Sequence, residues 1–279
     1  MGPWTRRDCL GAFGATAATA FAGSAANAGA TRIRSDADRL VRMRSSPDGQ
    51  PVMWVYQGVL LLKLEGQVAR PITGVCGMSF TRAVGREPGV HDWQLDEVGY
   101  YTDLSTGAVL DTFVNPYTGK TVLPANYRSP QKLTYTGSLA LSREPLPPGA
   151  TYEGRITRLA DVAGLAAMTE DLYVSIPAMP AANGRPARAA RMLSSLGSFS
   201  AAAADLDGTR AKWIDCQMSY STMNSFAPWL QMDGTAGVQN IRLAGRKCRL
   251  FERDTIPPWL RARVERDHPQ FFAEPLTWK

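Results

Sequence analysis

The chain has 279 residues, 44% of them hydrophobic and 20% charged, which is enough to bury a substantial core in one large barrel or sandwich or in two small domains. Its net charge of +6 is a modest basic excess gathered late, in Arg242, Arg246, Lys247, Arg249 and Arg253 and again in Arg261, Arg263 and Arg266. Glu252, Asp254, Glu265 and Asp267 interrupt that excess, which argues for a solvated face rather than a nucleic-acid partner, and two histidines with no zinc-like or iron–sulfur-like cysteine spacing argue against a histidine-rich metal centre.

Thr5-Arg6-Arg7-Asp8-Cys9-Leu10 opens an uncharged stretch rich in Ala and Gly that ends in Ala26-Asn27-Ala28. Paired arginines, a weakly apolar run and a small-residue cleavage pattern predict a twin-arginine signal over residues 1–28, read by the twin-arginine export machinery. Cleavage after Ala28 leaves a chain without a transmembrane segment, periplasmic or secreted. That route accepts folded chains, which points to a fold that closes quickly or a cofactor loaded early, without identifying a cofactor. Cys76, Cys216 and Cys248 remain after cleavage, and an oxidising compartment permits one disulfide among them or three buried thiols.

Residues 29–50 read as a linker or short helix leading into a single β-rich domain over 51–279. Val52–Tyr56 and Val59–Lys63 flank Gln57-Gly58, which has the size of a tight hairpin turn. That turn puts Trp54, Tyr56, Leu61 and Lys63 on one face and Met53, Val55, Leu60 and Leu62 on the other. Asp103–Gly107 and Asn115–Gly119 share an Asx start and a Thr-Gly end, the turn chemistry of an antiparallel meander. With His91–Thr102, further strands are predicted at 131–142, 152–159, 169–177, 190–199, 210–220 and 237–252, for ten to twelve in all. Pro145–Gly149 and Pro177–Pro186 are the most loop-like connections, and the second could separate lobes. Thr255 or Asp254 can cap a helix through Asp267 with Pro257 and Pro258 in its first turn, and Phe271, Phe272, Leu276 and Trp278 form an apolar tail to seal one side or end of the sheet. The class predicted is mainly β: a large antiparallel β-barrel or strongly curved sheet with a short C-terminal helix.

Asp48-Gly49-Gln50-Pro51-Val52-Met53-Trp54, Gly99-Tyr100-Tyr101, Asn115–Gly119, Phe226-Ala227-Pro228-Trp229 and His268-Pro269-Gln270-Phe271 together resemble a bacterial family designated domain of unknown function number eighteen thirty-eight, over nearly the whole chain beyond the signal. The resemblance implies exported or soluble β-rich proteins and no activity.

Familiar catalytic motifs are absent, and Gly74-Val75-Cys76-Gly77, which superficially resembles a nucleophile turn, has no histidine near it in sequence to act as base. Carboxylates on apolar strand faces are the better catalytic candidates. Alternation places Glu97 with Trp93, Leu95 and Tyr101, and Tyr100 with Asp96 and Val98 on the other face. Were the Trp93 face to point inward, Glu97 would be a desolvated acid or base with tyrosine help, Tyr100 being the candidate; otherwise it pairs with an arginine at a sheet edge. Asp215 shares a face with Trp213 and Gln217 and either meets solvent or lines a polar lumen. Trp54, Tyr56, Trp93, Trp213, Tyr220 and Trp229 are the candidate ligand-binding aromatics, suited to a flat organic molecule in a barrel cavity and equally to filling a core. The leading functional expectation is a periplasmic protein binding a small, largely apolar or aromatic molecule. The alternatives are a metal-independent isomerase, lyase or hydrolase acting on such a molecule, and an envelope interaction protein using its basic C-terminal face.

Overall fold

A computed structural model describes residues 35–178, 190–207, 213–250, 252–273 and 276. The export signal predicted over 1–28, most of the Pro177–Pro186 connection and Trp278 lie outside the described residues. Helix α1 (Asp36–Arg44) is followed by β1 (Val52–Leu64), β2 (Arg70–Glu87) and β3 (Val90–Thr102), then a small hairpin of β4 (Phe113–Val114) and β5 (Thr121–Val122). Next come β6 (Tyr127–Thr136), β7 (Leu139–Ser142), β8 (Thr151–Arg158), β9 (Leu165–Ile176), β10 (Arg191–Ala202), helix α2 (Ala203–Asp207), β11 (Gln217–Asn224) and β12 (Gly237–Cys248). The chain closes with α3 (Pro258–Asp267) and α4 (Gln270–Ala273). Ten strands form a closed antiparallel barrel in the order β1-β12-β11-β10-β9-β8-β7-β6-β3-β2, and β4 and β5 stand apart as a two-stranded sheet. No helix among the described residues is long and apolar enough to cross a membrane.

The mainly β class and the barrel were legible, but the first hairpin was not. Gln57-Gly58 is no turn: β1 runs straight through it, Gly58 pairing with Val75 on one side and Leu243 on the other. Continuous pleating puts Val52, Trp54, Tyr56, Leu60 and Leu62 inside the barrel and Met53 and Val55 outside, which corrects the faces predicted from a turn. Glycine is needed at position 58 for a different reason. A Cβ there would run into the Arg242 backbone of β12. The longest strand, β2, was not predicted at all, and Gly74–Gly77 sits in its middle; Cys76 lies on its outer face, where burial pushes the thiol up to about 11. Cys216, pushed up by burial to about 12, and Cys248 are buried free thiols as well.

Both faces of β2 are covered, and ten consecutive residues, Ile72–Thr81, are buried. Inside is the lumen; outside, Ile256, Leu260, Val264, Phe271, Phe272 and Leu276 pack on Met53, Met78, Phe80, Val98 and Tyr100, so the C-terminal segment seals a side of the sheet. The predicted side-chain cap on its helix is absent. Pro257 takes the N-cap position with no side-chain hydrogen bond, and Thr255 Oγ1 donates instead to the Glu252 carbonyl at 2.7 Å.

The segment read as a linker or short helix holds a helix, Asp36–Arg44, and that helix is part of the core. Ser35 caps α1 by accepting from the Asp38 N–H, and Ala37, Leu40 and Met43 are fully buried against Trp54, Trp93, Leu133, Met168 and Phe199, plugging one end of the barrel. Lys247 reaches from β12 to donate to the Arg42 and Ser45 carbonyls where α1 ends. At the opposite end a 3₁₀ turn, Pro228–Leu230, inserts Leu230 among Leu60, Leu62, Val75, Tyr101 and Leu243. Asn115 Nδ2 donates to the Leu230 carbonyl at 2.7 Å, and the β4–β5 hairpin exists to present that asparagine.

Replacing Gly58 by alanine will lower the urea midpoint by the equivalent of about 1–3 kcal/mol, the usual cost of overpacking, with native circular dichroism retained. An unchanged midpoint would contradict the close β1–β12 approach.

Candidate functional site

Three layers fill the lumen: the α1 plug, a polar middle, and an opposite end that is packed on the β1, β2 and β12 side but hollow on the other. The middle begins with Arg44, the last residue of α1, whose guanidinium lies 4.2 Å from the Trp93 ring centroid and 4.7 Å from that of Phe199. Arg44 donates to Glu170 at 2.5 Å and to the Tyr135 hydroxyl at 2.6 Å, and Tyr135 donates to the other Glu170 oxygen at 2.5 Å. Burial works against the Arg44 charge, but the Glu170 carboxylate outweighs it and the guanidinium is held above its ordinary pKa. Trp54 Nε1 and Thr81 Oγ1 both donate to the Arg44 carbonyl at 2.9 Å, fixing the backbone from which that side chain enters the barrel.

Next to this triad stands a group of phenols around Glu97. Trp54, Ser79, Glu97 and Ser129 are register neighbours on the inner face. Glu97 keeps part of its surface accessible although protein encloses it, as a side chain bordering a lumen does. Burial raises its carboxyl above the ordinary pKa, against the lowering pull of the Tyr56 hydroxyl and the Arg44 charge. Tyr56 donates to the Val98 carbonyl at 3.1 Å and its hydroxyl lies 3.5 Å from that of Tyr127. Space for both rings comes from glycine: a Cβ on Gly77 would meet the Tyr56 hydroxyl, and one on Gly99 the Tyr127 ring. Burial holds the Tyr56 and Tyr127 hydroxyls far above their ordinary pKa and pushes Tyr220 up to about 12, so all three remain O–H donors.

Beyond this layer lies a cavity of about 310 Å³. Leu133, Leu172, Val174 and Leu193 make its apolar wall, and Gln131, Tyr152, Ser195, Tyr220, Thr222 and Asn224 supply polar groups. The Tyr152 hydroxyl is buried without a protein partner. Ser142, Glu144 and Leu146 lie at the rim, where β7 has four residues and meets β8 in one register pair. Among the described residues, no three His, Cys, Asp or Glu side chains come together as metal ligands would.

Of the predicted catalytic residues, only Glu97 lies in the lumen. Tyr100 points outward beneath α3, in the cluster of Phe80 and Phe271, with the sheet between it and Glu97; Tyr56, Tyr127 and Tyr220 are the phenols that Glu97 meets. Asp215 is exposed, accepting from Trp213 Nε1 at 2.7 Å, so the solvent-facing alternative holds. Among the predicted ligand-binding aromatics, Tyr220 lines the cavity and Tyr56 adjoins it across the phenol layer. Trp54 and Trp93 belong to the α1 plug, Trp213 packs at that same end beside Lys247, and Trp229 stacks on Tyr101 at 4.8 Å in the other plug. Arg44, Glu170, Tyr135, Tyr127 and Tyr152 were missed. Only the period-two alternation of β6, β8 and β9 could have flagged the last four, and nothing local marked Arg44, at the end of a short helix. The basic C-terminal helix is extensively paired: Arg261 with Glu265, Arg263 with Asp111 and Asp267, and Arg266 with Asp267.

The model of the family DUF1838, a protein of unknown function, matches residues 49–127, from the start of β1 to the start of β6. The resemblance read from Asp48–Trp54, apart from Asp48 itself, and from Gly99–Tyr101 and Asn115–Gly119 falls within that span; the segments at 226–229 and 268–271 fall outside it. No curated protein matches the chain. Among solved structures, a conserved protein of unknown function with a hot dog fold from Alicyclobacillus acidocaldarius is 11% identical over 76% of this chain and 85% of its own, with a TM-score of 0.14, too low to carry any argument.

Replacing Arg44 by methionine strands the Glu170 carboxylate in a buried layer and will cost about 3–5 kcal/mol, whereas the double replacement Arg44→Met with Glu170→Gln will recover much of that loss. Urea denaturation of the two variants and of Glu170→Gln alone closes the cycle, and additive losses would show that the pair is uncoupled.

Proposed function

We propose that the barrel binds a small, largely apolar or aromatic molecule carrying one hydrogen-bond acceptor, seated in the cavity between β6 and β11. The observation that carries this reading is the cavity of about 310 Å³ itself, with an aliphatic wall on one side and, on the other, the polar residues Gln131, Ser195, Tyr220, Thr222 and Asn224. The lumen charges support a neutral guest, because the Arg44 cation is already matched by Glu170. Burial keeps the phenols nearby protonated at physiological pH, so Tyr220 in the wall has an O–H to offer a carbonyl or ether oxygen.

Val174→Trp fills the cavity from its apolar wall. Native mass spectrometry of wild-type protein mixed with 2-tetralone, naphthalene or 1-naphthol will show bound adducts that the variant lacks, while the variant keeps its circular dichroism. Adducts of equal abundance in both proteins would place the ligand elsewhere, and no adduct in the wild type, native extract included, would remove the binding reading.

We further propose that the chain acts in the periplasm after export through the twin-arginine route. Arg6-Arg7 and Ala26-Asn27-Ala28 support this, and a barrel plugged at both ends is a fold suited to export after closure. Replacing Arg6 and Arg7 by lysine will leave an uncleaved cytoplasmic precursor, whereas the native leader will give a mature protein beginning at Gly29; a periplasmic double-lysine variant would exclude the route.

A further inference from the structure

Among the described residues, Glu170 and Glu97 are carboxyl groups on the inner face of the barrel strands, and they stand in opposite circumstances. Glu170 is saturated, with Arg44 on one oxygen and Tyr135 on the other. Among the described residues Glu97 has no ion-pair partner, retains accessible surface, and is surrounded by the hydroxyls of Tyr56, Tyr127 and Tyr220, each of which feels its charge. The cavity reaches toward this carboxyl from two directions. Tyr220 belongs to both the cavity wall and the phenol layer, and Gln131, also in the wall, follows Ser129, the register partner of Glu97, on the inner face of β6. A ligand in this cavity that extends past Gln131 toward Ser129 therefore approaches a carboxyl that makes no ion pair among the described residues.

We propose that this lumen is a proton-transfer site, in which Glu97 takes a proton from the carbon next to the carbonyl of a small, largely apolar ketone while the Tyr220 hydroxyl holds the carbonyl oxygen. The inference rests on the cavity-binding reading and gives it a substrate class and a reaction. As the C–H bond breaks, its electron pair becomes the new C=C bond, the carbonyl π pair moves onto oxygen, and the proton resides on Glu97. Glu97 then delivers a proton to the far end of a conjugated system, giving a double-bond isomer, or, once its proton has been swapped for one from water, to the same carbon, giving exchange. Nothing is oxidised or reduced, and no second reactant is consumed. A carboxylate whose desolvation outweighs the pull of the nearby cation is a stronger base than one at the surface, and a protonated phenol is a donor for the developing enolate. The raised Glu97 carboxyl predicts a rate that climbs with pH through a range above that of an ordinary glutamate.

The probe is 2-tetralone, a two-ring ketone that fits the cavity, incubated with the full folded chain in deuterated buffer and followed by proton NMR. Wild-type protein will exchange the protons beside the carbonyl faster than buffer or the denatured chain. Glu97→Gln will lose about a hundredfold or more of that acceleration, Glu97→Asp will keep part of it, and Asp215→Asn, a surface carboxyl, will match the wild type. Tyr220→Phe will lose about a hundredfold while 2-tetralone still binds by native mass spectrometry, and it carries the test should Glu97→Gln fail to fold. Bound 2-tetralone with exchange no faster than buffer, or a folded Glu97→Gln that exchanges at the wild-type rate, overturns the proposal and leaves the binding reading standing. A wild-type protein that neither binds 2-tetralone nor exchanges its protons overturns both.

Discussion

The interior is organised around one buried cation. The Arg44 guanidinium is clasped between the Trp93 and Phe199 rings and neutralised by Glu170, and it enters from the last residue of the helix that stops the barrel end. Helix plug, aromatic sandwich and carboxylate are thus one unit. Moving α1 outward would leave Glu170 in the lumen without its cation, which couples the closing of the barrel to the pairing of its interior charges. That coupling also determines what remains available for chemistry. With the cation spent on Glu170, the neighbouring Glu97 is left among phenols.

The lumen separates structural polarity from usable polarity. Around Arg44, both Glu170 oxygens and the Tyr135 hydroxyl are engaged and the groups are nearly inaccessible. Glu97, Tyr127, Gln131 and Tyr220 keep part of their surface accessible, and Gln131 and Tyr220 border unfilled space. A buried network that satisfies itself rigidifies the fold, whereas one with a spare acceptor and spare donors can accommodate a guest. The two lie side by side because adjacent strands deliver inward residues in register.

The barrel was legible because its later strands carry period-two apolar patterns between Gly- and Pro-rich turns. The first hairpin was misread because Gly58 has the look of a turn residue, when its lack of a side chain serves close packing against Arg242 within a strand. The same ambiguity hid β2, whose Gly74 and Gly77 accommodate Thr102 and Tyr56. Glu97 could be nominated because alternation placed it with Trp93 and Leu95, and both of those point inward. Its partners could not be named, since Tyr127 and Tyr220 approach from strands distant in sequence, while Tyr100, adjacent in sequence, is carried by the pleat to the far side of the sheet. The indoles misled for another reason. Large aromatics close the barrel ends, and composition alone does not distinguish a stopper from a wall.

The pairing of glycine with tyrosine on the inner face has an evolutionary consequence. While Tyr56 stands, Gly77 has no room for a methyl group, and while Tyr127 stands, neither has Gly99. Trimming either ring first would open a void, and enlarging either glycine first would force a clash. Gly99 and Tyr127 must therefore change together or by way of a less stable intermediate, whereas Gly77 is held by the Val98 backbone as well as by Tyr56 and stays glycine even where that ring is trimmed.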